Sequence, residues 1–173
     1  LLLGTTLTGE PGKNNNSETE CIEKLKKQRR EIEIRQMNEQ AVIFKKLIDK
    51  YGKGILDVVK QHTIDKTREY FKKAKIEKRD LSAVKKYLWE QLGEGFEFQC
   101  IKDTPQYLEY KVTKCYIADE MLKLNAGEIG YAFNCAWDLG FCAGINPGIE
   151  FIRTKVLIKG DSYCNHTYRL KKT

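Results

Sequence analysis

The hydrophobic period of this chain first changes between Gly93 and Phe96, and that change limits the folds open to it. Before it, apolar residues recur at helical spacing. After it they alternate with polar ones over Phe96, Phe98 and Cys100, and again over Leu108, Tyr110 and Val112, the pattern of strands with one buried face. Helices followed by strands predict an α+β fold, with N-terminal helices packed on one side of an antiparallel sheet of about four strands. Such a pattern leaves the order of the strands open.

In the helical part, Ser17 and Glu20 read as a capping box. Ile22, Leu25, Ile32, Met37, Ala41, Phe44, Ile48 and Tyr51 then predict one long helix, stopped by Gly52 and Gly54. A second helix is expected to turn Ile55, Val58, Val59 and His62 inward, with Ile64 on the opposite side. A histidine at the end of such a stripe reads as a packed residue rather than a ligand. Asp80 predicts the N-cap of a third helix, with Leu81, Val84, Leu88 and Leu92 inward. Residues 1–17, which lack an apolar face, are expected to be a flexible leader. Residues 18–173 then form one domain, helical over 18–95, with the sheet, two helices (Cys115–Leu124 and Gly127–Cys142) and the site over 96–173.

The formal net charge of +7 comes from lysines interleaved with acidic residues such as Glu31, Glu33, Asp49 and Asp57. That distribution reads as solvated helix faces. With no docking motif for nucleic acid, none is expected as a partner. The chain opens on Leu1-Leu2-Leu3 without a methionine, as a truncated or processed chain would, and three leucines are too few for a signal core or a membrane span. No membrane partner is expected. The six cysteines are widely spaced and lie in apolar surroundings, which predicts reduced thiols in a cytoplasmic protein rather than a disulfide scaffold.

Chemistry-bearing residues concentrate near the C-terminus. An Asn146-Pro147 turn is followed by two predicted strands joined through Lys159, Gly160, Asp161 and Ser162 as a tight hairpin. The second strand places Cys164, His166 and Tyr168 on one face. In the helix before them, Tyr131, Cys135, Asp138 and Cys142 share a face, and Asp138 either pairs with Arg153 in the interior or sits at the solvent edge. Arg153 and Lys155 alternate with Ile152, Thr154 and Val156, so their face, shared with Phe151 and Leu157, is either solvated or the lining of a pocket. In a pocket, the arginine fork would suit a substrate carboxylate. Zinc would need Cys164 and His166 together with Cys115 or Cys135. Without a Cys-x-x-Cys pair, thiols acting as small hydrophobes are the preferred reading.

Five segments carry a resemblance: Cys115-Tyr116-Ile117-Ala118-Asp119; Phe133-Asn134-Cys135-Ala136-Trp137-Asp138; Gly144-Ile145-Asn146-Pro147; Arg153-Thr154-Lys155; and Gly160-Asp161 with Cys164, His166 and Tyr168. Together the chain resembles the L-2-amino-thiazoline-4-carboxylic acid hydrolase family from about Lys24 to its end, most specifically over Cys115 to Tyr168. Asn165 and His166 depart from the acidic and aromatic residues of several members. The resemblance implies hydrolytic opening of a cyclic amidine to N-carbamoyl-cysteine, in a bacterial cysteine-forming pathway.

For that chemistry Asp138 and Asp161 are the expected activators of water, because the ring carbon is amidine-like and easily protonated. The alternative is Cys164 as nucleophile with His166 moving protons. Arg153 would anchor the substrate carboxylate, with Cys115, Cys135, Asn146 and Tyr168 around it. No cofactor is expected, and metal dependence stays open. Two rival readings are a non-catalytic small-molecule sensor with a cysteine-lined pocket, and an interaction protein whose first helix pairs two copies as a homodimer.

Overall fold

The computed structural model describes residues 15–171, beginning with helix α1 over Asn15–Tyr51. Residues 1–14 of the expected leader, and the Ser17 side chain expected to cap the helix, lie outside the described residues. The chain divides into two compact units, Leu1–Arg35 and Gln36–Thr173, and α1 runs through the division. In the first unit Ile22, Leu25 and Ile32 are exposed, and Arg29 pairs with Glu33 one turn on at 2.9 Å. An exposed pair at that spacing stabilises a helix by only about 0.3–0.5 kcal/mol.

The second unit holds everything else. The last turns of α1 bury Met37 and Ala41 and set Phe44 edge-on to Phe133, with ring centroids 4.8 Å apart. Helix α2, Ile55–Lys73, buries Leu56, Thr67 and Phe71. This corrects the expected stripe: Val58 is 69% exposed and His62 also faces solvent. The reason lies much later in the chain. A Cβ placed on Gly140 would stand 2.3 Å from the Ile64 carbonyl oxygen, and one on Gly144 would stand 2.6 Å from that of Arg68. Two glycines a turn apart let another helix lie against the backbone of α2 along Ile64–Phe71, and that contact selects the buried face.

Helix α3, Leu81–Tyr87, starts as expected, with Asp80 accepting a hydrogen bond from the Ser82 N–H at 2.8 Å. It stops early, and a single 3-10 turn, Trp89–Gln91, puts Trp89 into the core while Leu88 and Leu92 are half-buried. Between α2 and α3, Arg79 ties two helix ends together. Its Nη1 donates to the carbonyls of Phe71, Gly144 and Ile145, and its Nη2 donates to those of Lys72 and Ala74, at 2.8–3.2 Å. The last carbonyls of a helix have no partner within it, and a cation there also meets the negative end of the helix dipole. Replacing Arg79 by methionine should therefore cost about 2 kcal/mol in urea unfolding. A loss under about 0.5 kcal/mol would show that water replaces the guanidinium freely.

The four strands, β1 (Phe96–Thr104), β2 (Tyr107–Cys115), β3 (Ile149–Ile152) and β4 (Cys164–Leu170), form one antiparallel sheet in the order β1-β2-β4-β3. β4, last in sequence, lies second from the edge. Its inner residues stand opposite those of β2: Cys164 by Val112, His166 by Tyr110 and Tyr168 by Leu108. Trp89 stacks on Tyr110 with centroids 3.9 Å apart and meets the His166 ring edge-on at 5.2 Å.

Two expectations about strands are corrected. Phe98 and Cys100 are exposed rather than buried, because β1 is an edge strand whose register slips beside both residues; such bulges are common where a strand has no outer neighbour. Nor do Lys159 to Ser162 close a tight hairpin. β3 ends at Ile152, and residues 153–163 form a long connection with a 3-10 turn, Leu157–Lys159, closed by Gly160 at φ 94°. Side chains hold this connection in place of a strand ladder. Asp161 accepts from the Val156 N–H at 2.7 Å, and Asn165 accepts from those of Thr154 and Lys155 at 3.0 and 2.6 Å.

Candidate functional site

After helix α4 (Tyr116–Lys123), the stretch read as one helix from Gly127 to Cys142 is three pieces: a single helical turn α5 (Gly127–Gly130), a π-helical turn over Tyr131–Cys135, and helix α6 (Trp137–Ile145). An extra residue per turn shifts the phase of the side chains. Even so, Tyr131, Cys135, Asp138 and Cys142 all interact with Arg153, the residue after β3.

Asp138 and Arg153 form an ion pair here, from Arg153 Nη1 to Asp138 Oδ2, with side-chain exposures of 13% and 5%. This settles the choice left open by the sequence in favour of a buried pair. Arg153 Nη2 donates to the Cys135 carbonyl at 2.8 Å. Its guanidinium stands 5.3 Å from the Phe151 ring centroid and 5.7 Å from that of Tyr131. Burial works against its charge, but Asp138, Cys135 and Tyr131 outweigh that effect and hold it firmly protonated. Burial pushes the Asp138 carboxyl above its ordinary range, with Arg153 pulling the other way. Arg153 and Lys155 do not share a surroundings: Lys155 is exposed.

Cys135, Cys142 and Cys164 feel the charges of this pair, and Cys115 lies beyond them, interacting with Cys135 and Cys164. Burial raises Cys115 to about 11 and Cys135 to about 12, and the charge interactions of Cys135 extend to Arg153, Asp138, Cys115 and Cys164. Cys164 is likewise raised by burial, and its Sγ accepts the Leu157 N–H at 3.1 Å. Cys142 is fully interior and raised further. These sulfurs are thiols at neutral pH. By contrast Cys21 and Cys100 are exposed, contrary to the expected apolar surroundings. Native protein treated with an aromatic disulfide reagent should therefore release about two equivalents of chromophore rapidly, with the rest appearing only on unfolding. Fast reaction of Cys115 or Cys135 would contradict their shielding.

His166 is buried, with its Nδ1 3.3 Å from the Tyr168 hydroxyl. Burial, and then the charge of Arg153, depress it well below the usual imidazole range, so it is neutral. The unfolded chain takes up a proton below pH ~6.5 that the folded chain refuses, and stability must fall as the medium is acidified. His166→Phe, which keeps a ring beside Trp89, should flatten the loss between pH 7 and pH 5 by about 1 kcal/mol or more in urea midpoints. Equal slopes in the two proteins would mean that the imidazole is protonated in the fold.

Tyr168 is fully buried and its hydroxyl, raised well above the ordinary range by burial, does not ionise. The remaining candidates stand in structural positions. Both polar ends of Asn146 are engaged in its turn, Nδ2 donating to the Arg79 carbonyl at 2.7 Å and Oδ1 accepting from the Gly148 N–H at 2.8 Å. Asp161, as described, closes the 153–163 connection. Among the described residues no three His, Cys, Asp or Glu side chains converge as metal ligands, so the set considered around Cys164 and His166 does not assemble. No helix of the described residues is long and apolar enough to cross a membrane. The sequence reading missed Trp89 as a wall of this cluster, because an aromatic in a single 3-10 turn has no periodic signal.

A sequence model of the L-2-amino-thiazoline-4-carboxylic acid hydrolase family matches residues 18–168. No curated protein and no solved structure matches the chain.

Proposed function

Because the chain belongs to the L-2-amino-thiazoline-4-carboxylic acid hydrolase family, we propose that it opens the ring of 2-aminothiazoline-4-carboxylate, or of a closely similar cyclic amidine, to N-carbamoyl-cysteine. The observation that carries this reading is the shielded Asp138–Arg153 pair beside Cys135. A carboxyl made more basic by burial is suited to take a proton from water. Arg153 occupies Oδ2 and holds the group in one orientation, leaving the other oxygen for water or for the amidine N–H.

Water adds to the ring carbon between nitrogen and sulfur. Its first proton passes to Asp138; as the carbon–sulfur bond breaks, the added hydroxyl becomes the carbonyl with its proton passing to the ring nitrogen, and the sulfur leaves as a thiol after taking the first proton back from Asp138. Atoms balance: one water is consumed and one free thiol appears. The cysteine-nucleophile route has less support, because Cys164 is held as a thiol and the buried neutral His166 turns its Nδ1 to Tyr168 rather than to sulfur. A cytoplasmic setting fits this chemistry, since the product is a free thiol.

The test is thiol release from 2-aminothiazoline-4-carboxylate by purified protein. Asp138→Asn, whose amide oxygen can still accept from Arg153, should reduce the rate by about a hundredfold or more, beyond any loss of stability read in parallel by urea unfolding. Absence of thiol release from the wild-type protein would reject the substrate. The second reading, a non-catalytic sensor, is favoured by one observation: every sulfur around the pair is protonated and shielded. Stoichiometric binding without turnover would establish it.

A further inference from the structure

Three cations from three parts of the fold converge on one phenol. Lys159 Nζ, from the 3-10 turn after β3, lies 4.1 Å from the Tyr131 ring centroid. Lys60 Nζ, from α2, lies 6.0 Å from it, and the Arg153 guanidinium, from the end of β3, lies 5.7 Å from it. Only one of these charges is answered. Arg153 is bound by Asp138 and by the Cys135 carbonyl, whereas neither Lys60 nor Lys159 takes part in an ion pair among the described residues.

Two ammonium groups around one ring repel each other. The face of the ring attracts each of them by about a kcal/mol or less at exposed sites, which does not neutralise their charge. An anion bound beside the ring would do so. Tyr131 and Lys60 are half-buried and Lys159 is exposed, so an anion there would be screened from water on one side and open to it on the other.

We propose that Lys60, Lys159 and the Tyr131 ring form the binding site for the carboxylate of a small ring acid, with Arg153 acting inside the protein as the partner of Asp138. This assignment rests on the hydrolase reading above and replaces Arg153 as the anchor. It divides the labour by accessibility. Arg153 has both terminal nitrogens committed to protein oxygens and a side chain 5% exposed, while the lysines stand at the rim with their donors unclaimed by carboxylates. A ring acid held at Tyr131 would direct its other end toward Asp138, because Tyr131 and Asp138 both contact the same guanidinium. The ring would lie over apolar and aromatic surface, and the carboxylate would take hydrogen bonds from two ammonium groups. The neutral analogue without the carboxylate has nothing to offer them.

The experiment is calorimetric titration of the full chain with thiazolidine-4-carboxylate, a saturated ring acid with no amidine carbon to hydrolyse, and with thiazolidine as the neutral control. Wild-type protein should bind the acid and not the control, more weakly as salt rises. Lys60→Met with Lys159→Met should weaken binding by about tenfold or more, and Lys66→Met, an exposed lysine elsewhere on α2, should not. In turnover of the aminothiazoline acid, the same pair of substitutions should raise KM with kcat nearly unchanged. Equal binding by wild-type and doubly substituted protein, or no preference for the acid over thiazolidine, would overturn the assignment. Because the titration needs no catalysis, a protein that binds the ring acid through these lysines yet releases no thiol would reject the hydrolase and leave the site standing. Turnover indifferent to both lysines would do the reverse.

Discussion

Replacing Arg153 by methionine is expected to destabilise the protein by about 3–5 kcal/mol and to abolish any thiol-releasing activity. The size of the effect comes from what is left behind. Asp138, 13% exposed, would keep a carboxylate with no cation and would lose the hydrogen bond from Arg153 Nη1. The Cys135 carbonyl would lose its donor as well. A buried carboxyl without a partner must either hold a costly charge or take up a proton, so the variant should be least stable at high pH and recover in part on acidification. That slope is opposite in sign to the one expected from His166, and it separates the two groups experimentally. A second variant keeps the argument falsifiable. Asp138→Leu combined with Arg153→Met removes both charges and fills the space with apolar atoms, so it should recover most of the lost stability while remaining inactive. If the single and double variants unfold at the same urea concentration, the pair is not the source of the loss.

Gly140→Val is expected to cost about 3 kcal/mol or to prevent folding. The added Cβ would meet the Ile64 carbonyl oxygen at 2.3 Å and the Thr67 Cβ at 2.8 Å, and the first of these is backbone that cannot rotate aside. Gly144→Val should behave similarly, since its Cβ would lie 2.6 Å from the Arg68 carbonyl oxygen. Helices α2 and α6 would have to separate by an ångström or more. That would loosen the Phe71 contacts with Phe141 and Trp137, whose ring centroids lie 4.7 and 5.5 Å away. Asp138 lies on α6 two residues before Gly140, so activity should fall with stability. The check is a thermal unfolding scan of each variant. A shift of less than a few degrees would show that the helices have room to part.

What could be read in the residues and what could not divide along a physical line. Asp80 was legible as a cap because a cap is a contact between residues two or three apart. Leu108, Tyr110 and Val112 were legible as an inner face because a strand flanked on both sides has an unambiguous alternation. Phe98 and Cys100 obey the same alternation yet are exposed, because being an edge strand is a property of the neighbour β1 lacks, not of β1 itself. The face of α2 was misread because Val58 and His62 fit an apolar stripe as well as Leu56, Thr67 and Phe71 do. Gly140 and Gly144, far along the chain, break that tie.

The same line runs through the site. That Asp138, Cys135 and Tyr131 share a helix face, and that Cys164, His166 and Tyr168 share a strand face, follows from the periods of helix and strand alone. The sequence also named Arg153 as the cation able to answer Asp138. Tertiary structure alone decided that the two meet in the interior, that Asn146 and Asp161 spend their polar atoms on turns, and that Lys60 and Lys159 reach the Tyr131 ring. Backbone periodicity is local and acts over a few residues, so a single chain displays it. Pairing of charges across some fifteen to one hundred residues depends on which helix packs on which sheet, and that is set by the packing of the whole unit.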